Sequence, residues 1–267
     1  MPWLSGLTKP ERPEAEASVA ERMAEAYAAS SVGDYARALE IWGPLAQAGV
    51  VRAQNNVGAC FSQGLGVERD LKLAVQWLSL AAAAGDRVGQ RNYAALYFRG
   101  EGVAQDYARA MELYRAAADH GDGPAQDMVS WMLLEGEVAE PDYPGARRYA
   151  EAAAAQGIAA SMTRLGMIYH NALGVERDPV KAVYWWRRGA ESGDADGQAM
   201  LGAAFYLGSG SRRDPVEAFV WLCRARAGGS PLADRFFQAV RGALSPEQIA
   251  EAERRALAPL GEPGAQP

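Results

Sequence analysis

The sequence predicts an all-α chain built as an array of helix-turn-helix repeats, and three observations carry that reading. The pentapeptide Gly66-Val67-Glu68-Arg69-Asp70 returns as Gly174-Val175-Glu176-Arg177-Asp178, three steps of 36 residues later. The same step joins Asp70, Asp106, Asp142, Asp178 and Asp214, then Ala74, Ala110, Ala146, Ala182 and Ala218, then Gly85, Gly121, Gly157, Gly193 and Gly229. Within each period, apolar residues recur at three- and four-residue spacing, the rhythm of an amphipathic helix. A fixed period of this length marks stacked units, each burying its apolar face only against its neighbours.

The elements follow in order. Residues 1–15, rich in Pro and Glu, are expected to form a disordered tail in which Trp3, Leu4 and Leu7 make a short apolar docking motif. Residues 16–50 keep Asp34, Ala38 and Gly49 in register and form a divergent first repeat. Five full repeats follow at 51–86, 87–122, 123–158, 159–194 and 195–230. In the fourth, Met162, Leu165, Gly166 and Tyr169 define a first helix, here called helix A. Gly174 allows a positive φ at the corner, Asp178 serves as N-cap, and Pro179 takes the first helical position, where its missing N–H costs nothing. Asp214-Pro215 repeats that device, and Glu217 is expected to complete a capping box. The second helix, helix B, carries Ala182, Trp185 and Ala190 and ends on Gly193 as a left-handed cap.

Two sets of columns predict the packing. Gly58, Ala94, Ser130, Gly166 and Gly202 keep a small residue inside helix A, where Gly costs about 1 kcal/mol against Ala, so another helix should cross closely there. The Ala column of helix B is the expected other half of that crossing. Phe61, Tyr97, Leu133, Tyr169 and Phe205 on helix A, with Trp77, Leu113, Tyr149, Trp185 and Trp221 on helix B, are read as core. At the far end, Phe237 lies 36 residues after Leu201, so residues 231–258 supply capping helices. Ser245, Pro246 and Gln248 start the last helix with a capping box, and 259–267 form a second disordered tail.

Composition excludes several function classes. A net charge of −6 with pI near 5.2 leaves no basic face for nucleic acid. Two cysteines, Cys60 and Cys223, are too few for a disulfide framework and are expected to be buried, reduced thiols. No apolar run reaches membrane-spanning length, and the first residues lack a secretory apolar core, so a cytoplasmic location is expected. No cofactor or metal is expected. His170 and His120 lie in different repeats, with no Cys or carboxylate at ligand spacing around His170, and His120 sits at a helix end facing the dipole. No G-x-S-x-G, S-x-x-K or phosphate-cradling loop is present, so no enzyme activity is expected. The acidic corner of Glu135, Glu137, Glu140 and Asp142 reads as a solvated loop, with a docking site for a basic partner as the functional reading.

Leu165-Gly166, Tyr169, Gly174-Val175, Asp178, Lys181-Ala182, Trp185, Ala190 and Gly193 together resemble the Sel-1-like repeat family, a longer-looped relative of the tetratricopeptide repeat. Residues 53–85 fit nearly as well. Ala172 and Gly189 depart from the pattern in 161–193, Leu113 replaces the tryptophan in 89–121, and Val138 replaces a loop glycine in the degenerate 125–157. The resemblance implies a right-handed α-solenoid whose helices A line a concave surface, and members that act mainly as adaptors between proteins. Some secreted members pair cysteines in every repeat and have been assigned penicillin binding; this chain lacks the pairs and the leader, so that activity is not carried over.

By resemblance to tetratricopeptide repeats, the groove positions are Asn55, Gln63, Arg91, Phe98, Arg99, Asp127, Trp131, Glu135, Thr163, Met167, His170, Asn171 and Tyr206. Phe98, Trp131, Met167 and Tyr206 would make an apolar strip with a polar rim, Trp131 its anchor for a protein or peptide partner. The function expected is therefore a non-catalytic scaffold. The alternatives are a hydrolase-type enzyme and a binder of a peptidoglycan-like cell-envelope ligand.

Overall fold

The computed structural model of the chain describes residues 18–136, 138 and 140–260. The expected tail 1–15 with Trp3, Leu4 and Leu7, the end of the tail from 261 on, and Glu137 lie outside the described residues. Those described form fourteen helices and no strand. In chain order they are α1 (Val19–Ser31), α2 (Tyr35–Gln47), α3 (Val51–Gln63), α4 (Leu71–Ala83), α5 (Arg87–Arg99), α6 (Tyr107–Asp119), α7 (Gly123–Glu135), α8 (Tyr143–Ala155), α9 (Ala159–His170), α10 (Pro179–Glu191), α11 (Ala195–Leu207), α12 (Pro215–Ala227), α13 (Asp234–Arg241) and α14 (Pro246–Leu257). Two compact units divide the chain, 1–125 and 126–267, with the boundary inside α7. In both, helix pairs stack in chain order, the construction of an α-solenoid.

The aspartate column explains why the helices begin where they do. Asp34, Asp70, Asp106, Asp142, Asp178 and Asp214 precede the even-numbered helices from α2 to α12, and each side chain accepts a backbone N–H from the first turn. Glu217 departs from its expected place. It makes no capping box; its carboxylate accepts from Trp221 Nε1 at 3.0 Å and pairs with Arg255, which ties α12 to the C-terminal helix instead. The box at Ser245 and Gln248 does form.

The corner glycine has two reasons to be glycine. Gly210 holds φ at +74°, and a Cβ there would lie 2.0 Å from the carbonyl oxygen of Pro179, the first residue of the preceding helix B. Gly66 meets Tyr35 and Ala36, and Gly174 meets Tyr143, in the same way. Each corner that carries this glycine thus rests on the start of the previous repeat's second helix. Among the described residues one takes a positive φ without being glycine: Ala172 sits at φ +58°, where Gly64, Gly100, Gly136 and Gly208 stand in the other repeats. A left-handed conformation costs a non-glycine residue roughly 1–2 kcal/mol, offset in part by glycine's greater freedom when unfolded. Ala172→Gly is therefore expected to stabilise the chain by about 0.5–1 kcal/mol and raise Tm by about 1–3 °C. No change in a calorimetric scan would mean that the corner relaxes around alanine.

In the N-terminal unit the core runs through Leu39, Phe61, Leu78 and Leu96, with Trp42 buried edge-on to Tyr27. In the C-terminal unit it runs through Leu165, Ile168, Leu201, Phe219 and Leu222, and α13 closes it with Phe237 stacked on Phe219 at 4.9 Å. The close crossing exists, but its partner is shifted. Gly58 lies under Leu78, Gly202 under Leu222 and Gly166 under Trp186, each four residues beyond the Ala column, from which Ala218 O also approaches Gly202. For the same reason Trp186 is buried at 3 % exposure, whereas Trp185 and Trp77 are half-buried; Tyr97 and Tyr169 also reach solvent in part. Cys60 is buried and Cys223 half-buried, both free, and burial pushes each thiol up to about 11.

Candidate functional site

Each unit carries a hollow floored by its helices A, which touch in pairs: α3 with α5, and α9 with α11. In the N-terminal unit the hollow is about 510 Å³ and polar, with Gln63, Asn92 and Arg99 among its walls. Arg69 and Arg99 both bind the Glu101 carboxylate at 2.8 Å, and the bond from Arg99, more than any other contact, holds that carboxyl below the usual range. Asn55 lies beneath this surface at 4 % exposure, accepting from Asn92 at 2.8 Å and donating to Asn56. Arg91 is spent on Asp122, its Nη1 lying 3.1 Å from both carboxylate oxygens. Phe98 is half-buried and tilts onto Tyr107 at 5.2 Å.

The hollow of the C-terminal unit is smaller, about 240 Å³, and of opposite character. Trp131 and Leu134 from α7, Met167 from α9, Met200 from α11 and Leu232 give it apolar walls. Around them stand Glu135, Asp194, Asp196 and the single cation Arg164. Arg164 bonds to Asp127, which also accepts from Ser161, so this charge is matched within the array. Thr163 is buried at 5 % exposure and donates to Asp194 Oδ2 at 2.6 Å; the same oxygen takes the Gly197 N–H at 2.7 Å as the N-cap of α11. Asp196 Oδ1 accepts from Ser230.

His170 stands apart from this hollow. It is half-buried with its ring 5.2 Å from Trp186, and its Nδ1 has no hydrogen-bond partner. Burial first, then the charge of Arg177, holds the imidazole below its ordinary range, so it is neutral at pH 7. Asn171 is the exposed C-cap residue of α9, and Tyr206 packs edge-on to Phe236 at 6.4 Å. Among the described residues no three His, Cys, Asp or Glu side chains come together to hold a metal ion, and no helix is long and apolar enough to cross a membrane.

The repeated corner, cap and crossing are the marks of one family, and its model, described as Sel1 repeat, matches residues 51–86, 88–122, 123–158, 159–194 and 195–230. The chain belongs to the Sel1 repeat family. A Sel1 repeat protein from Oxalobacter formigenes is similar over 92 % of this chain and 99 % of its own, at 28 % identity and a TM-score of 0.79. An immunity protein from Pseudomonas aeruginosa shares the fold at 18 % identity and a TM-score of 0.50, over 96 % of this chain and 90 % of its own. No curated protein matches the chain.

Of the groove positions expected from the sequence, the Sel1 repeats of the C-terminal unit bring Trp131, Glu135, Thr163 and Met167 to one hollow, and those of the N-terminal unit bring Gln63 and Arg99 to the other. Asn55 lies under the surface, where its side chain accepts from Asn92 of the next Sel1 repeat, and Thr163, though it edges the hollow, is largely buried and bonded to Asp194. The residue one later in the helix A register, such as Asn92, Arg164 or Met200, lines the hollows too. That residue is two before the small column, a register that the sequence contains.

Proposed function

We propose that this chain is a non-catalytic scaffold that holds a segment of a partner protein in the hollow between α7, α9 and α11. The observation that carries this reading is an apolar recess, walled by Trp131, Met167 and Met200, beside polar groups that the fold does not use up. Buried aromatic anchors in a recess with a polar rim are the usual energetic centre of a protein interface. The Sel1 repeat family supports it, since repeats of this kind are typical of protein-interaction scaffolds. Free Cys60 and Cys223 suit a reducing compartment, and we place the protein in the cytoplasm.

A photo-crosslinking amino acid at exposed Glu135, used in the native cell, should form an adduct with a cellular protein, and the same group at Lys72 on a helix B should not. Adducts from Lys72 alone would move the binding face to helices B and overturn the proposal.

A further inference from the structure

Resting on that reading, we infer that the segment held in the C-terminal hollow is cationic: one bulky apolar side chain flanked by lysine or arginine. Size sets the anchor. A volume of about 240 Å³ falls below the roughly 300–1,000 Å³ of a small-molecule site, yet it admits one large side chain. Its two methionines give that side chain an adaptable wall, since an unbranched thioether repacks around different shapes.

Charge sets the flanks. Arg164 and Asp127 neutralise one another, which leaves Glu135, Asp194 and Asp196 as the net charge of the rim. Among the described residues none of these three is in an ion pair. Their bonding capacity is also open. Asp194 places both of its contacts on Oδ2, Asp196 places its contact on Oδ1, and Glu135 makes none. The fold uses one oxygen of each aspartate for architecture and gives the other no hydrogen bond among the described residues. Carboxylates beside an apolar wall are screened less than in bulk water, so a cation brought there gains more than at an ordinary surface. An acidic segment would meet repulsion from all three.

The N-terminal hollow provides an internal contrast. There two guanidinium groups share one carboxylate, and Ala59 and Ala95 are the only apolar side chains among the lining residues. A partner anchored by an apolar side chain between cations fits the C-terminal hollow and not that one.

The test uses a random twelve-residue peptide library displayed on phage, selected against the full chain and against a Glu135→Lys/Asp196→Lys variant. Both replaced residues are exposed, and circular dichroism verifies that the variant folds. Peptides retained by the wild type should carry Leu, Met, Phe or Trp between Lys or Arg. They should bind the variant at least about tenfold more weakly, and wild-type binding should fall as salt is raised. Neutral or acidic peptides that compete at Met200 but ignore the charge reversal would overturn the cationic segment while leaving the scaffold reading intact. If no peptide is retained by the wild type, both readings fail together.

Discussion

Gly210→Ala is expected to cost about 2–5 kcal/mol, the sum of a left-handed alanine and an overpacked contact. The new methyl would meet the Pro179 carbonyl carbon at 2.4 Å and its oxygen at 2.0 Å, and neither is free to yield. Pro179 has its φ fixed by the ring and opens α10, which the Asp178 side chain caps through the Lys181 N–H. Against a total stability of roughly 5–15 kcal/mol, that loss is large. Gly193→Ala supplies the control. Gly193 also has positive φ, at +90°, but a Cβ there meets nothing within 4 Å, so only the backbone cost of about 1–2 kcal/mol remains. Urea unfolding followed by circular dichroism compares the two. Equal losses would mean that the corner does not lean on the preceding repeat.

The second large effect is at Trp186. Trp186→Ala should cost about 3–5 kcal/mol, because the indole is almost fully buried and its loss leaves a large cavity. Its partner is diagnostic. A Cβ on Gly166 would lie 2.3 Å from Trp186 Cδ1 and 2.4 Å from Nε1, so Gly166→Ala should destabilise by about 1–3 kcal/mol despite the better helix propensity. In a Trp186→Leu background the same change should cost much less, since leucine is the residue that covers Gly58 and Gly202. A coupling of about 1–3 kcal/mol in the double-mutant cycle is expected. Additive losses would place the indole elsewhere.

The parts of the fold legible in the sequence are those where one residue type answers one backbone need. Asp178 and its column each accept a first-turn N–H, and Gly193 and its column each turn the chain with positive φ. Few residue types do either job, so the 36-residue step stands out. Packing is less legible because a helix turns about 100° per residue, and a one-residue error swings a side chain from core to rim. Trp185 and Trp186 are adjacent and chemically alike; only the position of Gly166 in space selects the second. The same one-residue phase separates the largely buried Asn55 and Thr163 from the more open Asn56 and Arg164 that follow them. Asp194 and Asp196 were hidden for another reason. As the cap of α11 and the partner of Ser230, they read as architecture, and sequence alone does not reveal that each keeps a spare oxygen.

The corner that leans on its predecessor makes this chain divisible only in fixed quanta. Excising 159–194 would bring Ala195 behind Ile158 and set Gly210 over Tyr143, the place that Gly174 now holds. Removing a few residues more or fewer would carry that glycine past its seat and present a side chain to a carbonyl instead. Duplication and loss in such an array therefore proceed by whole repeats, and each copied block arrives with the buttress for the block before it.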